Sequence, residues 1–542
     1  MSSRIVSAPF KALLRPLLVL SLGISALCAA DTAASRPNVI MILADDMGYS
    51  DIGCFGSEIS TPHIDRLARN GVMFTQFYNA ARCNPTRASL LTGRYPHQAG
   101  VGFSDIGLPA YRGRINRESA TMAEALRSSG YRTLMSGKWH LGLERPDWPV
   151  DRGFDRFFGL LGGAGSYWEV LKGEQYRLAL DDKLWTPPPD NHEFYFTDAI
   201  TEHAVEFVSE AIAEKKPFFL YLSYTAPHWP LHARPEDIAK YRGRYRDGWE
   251  QLRHERYQRQ RELGIVDAGW ALSPLDQHSP PWESLTDAER DEWDLRMAVY
   301  AAMIDRMDQG IGRVMAALEN LGCAENTLIV FLSDNGGCEE DPNRTTAGSD
   351  PDIPPGPRGG FWGYGPPWAN ASNTPFRKYK RFTHEGGIST PLIAHWPGGI
   401  VNPGRVDRDV GHIIDLMPTF LEVAGATEPQ TREKQAVAAG EGLSLVPSFS
   451  DQSRALHEYL FWEHTGNRAV RAGRWKLLGG RTGDWELYDL QEDRAERHNL
   501  AYVFPERVRD LAVRYQKWAA RVGAVSWEEF QFHRAQSTNR QP

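Results

Sequence analysis

The stretch Val39-Ile40-Met41-Ile42-Leu43-Ala44-Asp45-Asp46 decides the architecture. Six consecutive apolar residues that end on two carboxylates predict a short strand buried on both faces, as in a parallel sheet covered by helices. A strand with one wet face would alternate apolar and polar residues instead. Three further runs of the same kind occur at 133–136, 218–224 and 328–333. Helical patterns lie between them, at 119–129, 198–213 and 295–321. Strands alternating with helices predict an α/β fold with a large, mostly parallel sheet. The residues just past each strand carry the chemistry: Asp45 and Asp46 after the first, Lys138 and His140 after the second, His228 after the third, Asp334 and Asn335 after the fourth. In open parallel sheets ligands bind outside the carboxyl ends of the strands, so these segments are expected to converge on one site.

Working outward, 542 residues suffice for one large domain and a smaller one. With 42% hydrophobic and 24% charged residues the composition is that of a globular enzyme, and a net charge of -8 leaves no electrostatic footprint for nucleic acid. Arg4, Lys11 and Arg15 precede an apolar run from Leu17 to Leu27 and small residues at Ala29 and Ala30, which reads as a signal peptide over 1–30. The run is shorter than the roughly 20 residues that span a bilayer, and no later segment is apolar enough, so no stable membrane span is expected. Export to a periplasm or out of the cell is therefore the expected location. Beyond the leader only Cys54, Cys83, Cys323 and Cys338 remain, too few for a disulfide framework. Cys323 and Cys338 flank one predicted strand, and their pairing is left open by the sequence.

The segment 241–293, rich in Arg, Glu and Trp, reads as a charged, partly helical insertion without assigned chemistry. Past about residue 430 the pattern changes to short strands at 458–463, 468–471, 475–478 and 486–489, separated by Gly-containing turns. An amphipathic helix at 505–522 is placed to cover them. The expected organisation is a catalytic domain over 36–430 and a small antiparallel-sheet subdomain over 440–542.

The strongest local signal is Cys83-Asn84-Pro85-Thr86-Arg87, running on through Leu90-Leu91-Thr92-Gly93-Arg94. Pro85 suits the first turn of a helix, which puts Cys83 at a helix N-terminus, where unpaired backbone N–H groups attract anions. Arg87, one turn on, adds a guanidinium fork suited to a tetrahedral oxyanion. Asp45, Asp46, Asp334 and Asn335 offer only oxygen donors, which suits a hard cation and not a thiolate or imidazole zinc site. Lys138 and His140, two residues apart, point the same way if the backbone there stays extended.

Cys-x-Pro-x-Arg followed by Leu-Leu-Thr-Gly-Arg resembles the signature of the type I sulfatases, in the alkaline phosphatase superfamily, and the resemblance runs from about residue 36 to 425. It implies an alkaline phosphatase-like fold and hydrolysis of sulfate esters, of aryl or carbohydrate alcohols, to alcohol and inorganic sulfate. It further implies that a formylglycine-generating enzyme oxidises Cys83 to formylglycine, whose hydrate attacks sulfur. By the same resemblance Asp45, Asp46, Asp334, Asn335 and the modified Cys83 hold Ca²⁺ in preference to Mg²⁺. Lys138 binds sulfate, His140 is the base, and His228 approaches the leaving-group oxygen. Counting back five from Glu385-Gly386-Gly387 selects Lys380 as the last catalytic lysine, with Lys378 the alternative. Phe361, Trp362, Tyr364 and Trp368, in the insert 337–373, are either walls of a leaving-group pocket or packing under a long loop. A phosphate or phosphonate ester hydrolase and an inactive glycan-binding module on the same scaffold are the competing readings.

Overall fold

The computed structural model describes residues 36–538 apart from 189–192, 268, 343–349, 433 and 482, so the expected leader at 1–30 lies outside the described residues. The principal sheet has eleven strands: β1 Asn38–Ala44, β2 Val72–Tyr78, β3 Arg132–Gly137, β4 Arg156–Leu160, β5 Leu178–Leu180, β6 Lys183–Trp185, β7 Phe218–Ser223, β8 Thr327–Ser333, β9 Ser389–His395, β10 Arg405–Asp407 and β11 Gly411–His412. Their order is β10-β2-β9-β8-β1-β7-β3-β4-β5-β6, with β11 beside β2. The central strands β8, β1, β7, β3 and β4 run parallel, whereas β9 is antiparallel to both β8 and β2.

The physical reason for the apolar run in β1 is visible in how its residues divide. Ile40, Ile42 and Ala44 enter one core, with residues of helices Phe196–Ala213 and Asp287–Asn320. Val39, Met41 and Leu43 enter the opposite core, with residues of helices Cys83–Thr92, Met122–Ser128 and Leu416–Ala424. Burying each such side chain is worth roughly 1.5–3 kcal/mol, so neither face of β1 tolerates a polar residue cheaply. Both carboxylates are held back until the strand ends.

The C-terminal strands Leu460–His464, Asn467–Ala472, Trp475–Gly479 and Glu486–Asp489 form an antiparallel meander. One face packs Trp462, Leu478 and Tyr488 against Tyr78 and Ile388 of the main body. The other packs Val470, Leu477 and Leu487 under helix Pro505–Val522 through Leu511, Tyr515 and Trp518. A further helix, Trp527–Thr538, has no counterpart among the elements expected from the sequence. From Arg36 onward the chain forms one compact unit.

Two points that the sequence leaves open are answered here. The insertion 241–293 carries the expected helical part as Gly248–Glu262, and Trp249 in it makes edge contacts with Trp282, Trp293 and Trp368. Trp368 therefore serves packing, as does Tyr364, which stacks on Tyr300 at 4.2 Å. Of the four insert aromatics only Tyr364 also lines the small cavity beside Asp46. Cys323 and Cys338 are both free thiols, set at opposite ends of β8. Seven extended residues separate chain positions by about 20 Å, far beyond disulfide reach.

Candidate active site

Strand register gathers the polar residues. Ala44 lies opposite Ser333, Leu43 opposite Ser223, and Gly137 opposite Ser223, so four strands end within a residue of one another. The chain just past them is stitched by backbone bonds: Asp334 N–H donates to Ala44 O at 3.1 Å, Asp45 N–H to Ala226 O at 3.0 Å, and Lys138 N–H to Ser223 O at 2.7 Å. Asp46 then adopts φ 66°, a left-handed conformation that Asp tolerates better than most residues.

Cys83 is the first residue of helix Cys83–Thr92, all ten residues of which are buried, and Gly93 closes it at φ 63°. One turn along, Arg87 donates to Asp334 Oδ2 from Nη2 at 2.7 Å and from Nε at 3.1 Å. Its Nη1 donates to Ser223 Oγ at 2.5 Å and to Lys138 O at 3.0 Å. Sequence reasoning missed Ser223, because an apolar strand's last serine carries no local motif. Arg94, at the end of the quoted signature, instead pairs with Glu428 outside this cluster.

Carboxylates and cations interleave. Lys138 Nζ donates to Asp45 Oδ2 at 2.6 Å, and Lys380 Nζ lies 2.8 Å from both Asp46 oxygens. Asn335 Nδ2 donates to Asp46 Oδ1 at 2.7 Å, and Asp334 Oδ1 accepts from Asp46 N–H at 3.1 Å. Burial works against a charged Asp46, yet Lys380, Lys138 and the hydrogen bond from Asn335 outweigh it and hold that carboxyl well below the usual range. Asp334 moves the other way, to about 7, because burial and the neighbouring Asp45 exceed the help from Arg87. Burial likewise opposes charge on Lys380, but Asp46 leads a set of anions that keeps its ammonium protonated.

His228 Nδ1 lies 2.6 Å from the Trp229 carbonyl, which fixes the proton on Nδ1 and leaves a lone pair on Nε2. Nε2 lies 3.3 Å from Asp46 Oδ2 and 3.4 Å from Lys380 Nζ, so the ammonium serves both acceptors. Burial, only partly offset by Asp46, lowers His228 to about 3. His140 is also held neutral, first by burial and then by the charges of Lys138 and Arg87. The expectation that Lys138 and His140 align by strand alternation fails: Gly137 at φ 119° and His140 at φ 58° turn the backbone out of the extended region. His140 reaches the site by that turn, with its ring seated on Gly163, where any Cβ would come within 2.6 Å of it. Lys378 lies outside this cluster, with its Nζ paired to Asp276 at 2.8 Å.

The donor set fits a hard cation. Ligand atoms of Asp45, Asp46 and His228 lie within 4.8 Å of one another. Asp45 Oδ1 and Asn335 Oδ1 are buried without a hydrogen-bond partner, an arrangement that is costly unless a cation satisfies them.

A sheet that delivers buried carboxylates, lysines and arginine to a helix-terminal cysteine defines a hydrolase centre of the alkaline phosphatase-like class. Similarity to known proteins sharpens this. The Sulfatase family matches residues 37–426, and N-sulphoglucosamine sulphohydrolase, C-terminal, matches residues 376–514. An arylsulfatase of Klebsiella aerogenes is 36% identical, covering 76% of this chain and 91% of its own. An uncharacterized sulfatase of Schizosaccharomyces pombe is also 36% identical, covering 91% and 95%. Among solved structures, Ps i-CgsB in complex with k-i-k-neocarrahexaose superposes with a TM-score of 0.66 at 28% identity, covering 90% of this chain and 93% of its own. The chain belongs to the sulfatase family and is a sulfuric ester hydrolase. Members of that family work through a formylglycine and a metal ion.

Proposed function

We propose that this protein is an exported, calcium-dependent sulfatase that acts on sulfate esters through formylglycine at Cys83. One observation carries the reading: Arg87, Lys138 and Lys380 interleave with Asp45, Asp46 and Asp334 at level strand ends, with Cys83 within electrostatic range of Arg87 and Lys380. A cation held by the oxygens of Asp45, Asp46, Asp334 and Asn335 would neutralise charge on the sulfate and on the nucleophile. Lys138 binds a sulfate oxygen. A hydroxyl of the hydrated Cys83 aldehyde would attack sulfur and give up its proton to the carboxylate cluster, while the S–O bond to the alcohol breaks and the alcohol oxygen takes a proton. Lys380 is the group placed to supply it, because His228 presents a lone pair to the site and donates only to Trp229. His228 then orients Lys380. His140, neutral and so able to accept, takes the proton from the second hydroxyl; the C–O bond to sulfate breaks and the aldehyde reforms.

Mass spectrometry of the Cys83 peptide from active enzyme is expected to show formylglycine. A fully active preparation with an unmodified thiol would overturn the mechanism. Cys83→Ser should accept one sulfate without releasing it, since it lacks the second hydroxyl.

A further inference from the structure

Beyond the reaction centre the cations continue outward. Arg82 and Arg381 converge on Glu340, at 3.7 and 3.4 Å, and Glu340 lines the cavity beside Asp46. From Arg381 the path passes to the small sheet: Asn467 Nδ2 donates to Arg381 O at 3.1 Å, and Thr383 Oγ1 to Arg468 O at 3.2 Å. Arg468 lies over Trp485 at 4.5 Å and Arg481 over Trp527 at 4.3 Å. Neither guanidinium has a carboxylate within ion-pair distance among the described residues. Arg481 donates to the Thr465 carbonyl and Arg468 to that of Gly483, while Arg468 Nε is buried and makes no hydrogen bond. Arg468 lines a groove of about 470 Å³ together with Trp485, Trp527, Tyr515 and Glu463, whose carboxylate is taken up by His97, Tyr111 and the Gly466 N–H. Between mouth and groove, His464 is fully buried against Phe103 and neither ring nitrogen has a partner. Cations crowd here: burial, then Arg381, Arg534 and Arg82, draw the Arg481 guanidinium below its usual pKa while leaving it charged.

Guanidinium forks without carboxylate partners, set on indole rings, match a sulfated sugar, which offers sulfate oxygens and an apolar ring face together. We propose that the substrate is an oligosaccharide carrying more than one sulfate: the scissile ester enters at Lys138 and Lys380, and a second sulfate further along the chain is held by Arg468 and Arg481. This rests on the sulfatase reading and names the substrate class for it.

The test uses the matured full-length enzyme with nitrophenyl sulfate, a monosulfated disaccharide and a multiply sulfated oligosaccharide. The parent should favour the multiply sulfated chain through KM, and the preference should shrink as ionic strength rises. Arg468→Ala and Arg481→Ala should each raise KM for that chain about tenfold, the worth of a charge-assisted contact. Both should leave kcat and all nitrophenyl sulfate kinetics unchanged, which also shows that the variants fold; Arg481→Gln gives a milder replacement if alanine does not. A parent indifferent to the second sulfate, or arginine variants unchanged on every substrate, overturns the groove assignment alone. A parent that cleaves no sulfate ester overturns the sulfatase reading beneath it.

Discussion

Lys378 and Lys380 stand two residues apart and end in different environments, one on Asp276 and one on Asp46. In a regular strand they would share a face. Here Lys378 at φ 62° and Arg381 at φ 77° break that regularity, and the loop is pinned by Lys380 N–H to Gly337 O at 3.1 Å and Arg381 N–H to Ala81 O at 2.8 Å. Gly386 permits the closure, since a Cβ there would meet the carbonyls of Arg377 and Lys378 at 2.3 Å. Lys380→Ala should lower kcat by about 10²–10⁴, the range of general-acid help. The loss should be larger on a sugar sulfate than on nitrophenyl sulfate, whose leaving group needs little protonation. Lys378→Ala should be nearly silent on both. Steady-state kinetics on the two substrates decides it, and equal losses for Lys380→Ala would place that lysine elsewhere in the cycle. Asp45, Asp46, Lys138 and Asp334 were legible because each comes just after an apolar run, whereas Arg87 and Lys380 were picked out by the motifs that carry the family resemblance. Their pairings were not, because Lys138 with Asp45, or Lys380 with Asp46, joins segments whose approach depends on sheet order.

At the scale of elements, the four apolar runs were legible as strands because burial on both faces permits nothing but apolar residues there. The strands β2, β5, β6 and β10, outside the parallel core, were not: β2, β6 and β10 mix polar and apolar residues as loops do, and β5 is only three residues long. Equally hidden was the close approach of backbones at the active-site edge. A Cβ on Gly137 would lie 1.8 Å from Ser223 O, and one on Gly159 would lie 1.7 Å from Gly137 O. Gly137 also sits at φ 119°, which L residues rarely adopt. Gly137→Ala should therefore separate β3 from β7 just where Lys138 leaves the strand. The expected cost is about 3 kcal/mol or more of stability, together with loss of activity. A melting temperature within a degree or two of the parent would show that the strand ends tolerate a wider gap than their packing implies.

For the whole molecule, the small sheet's strands and covering helix were legible from alternation and turns, but the way it grips the main body was not. That grip is a fully buried charge network. Lys476 Nζ lies 2.8 Å from both Glu385 and Glu496, Arg494 Nε donates to Glu385 at 2.9 Å, and Glu385 N–H donates to Glu496. Glu385 belongs to the Glu-Gly-Gly that comes after Lys380, so the network anchors the loop that carries Lys380 as well as the sheet. Burial opposes charge on Glu385, but Lys476 and Arg494 hold its carboxyl well below the usual range. Glu496 is raised to about 7 by burial, with Lys476 only partly compensating. The depressed Glu385 contributes stability that is present above its unfolded pKa and lost on acidification. The raised Glu496 contributes stability that is present below its unfolded pKa, about 4.3, and lost as pH climbs through about 7. Lys476→Met removes the cation that pairs directly with the Glu496 carboxylate, while Glu385 keeps Arg494. At pH 5 Glu496 is already protonated in the parent, so the substitution should cost little beyond the Lys476–Glu385 pair. At pH 8 the parent holds Glu496 ionised against Lys476, and the variant must bury an unpaired carboxylate or bind a proton against the solution. The penalty there should approach the roughly 3–5 kcal/mol of a broken buried pair. Melting temperatures of parent and variant should thus diverge steadily from pH 5 to pH 8, and parallel curves would show that Glu496 does not depend on Lys476 for its charge.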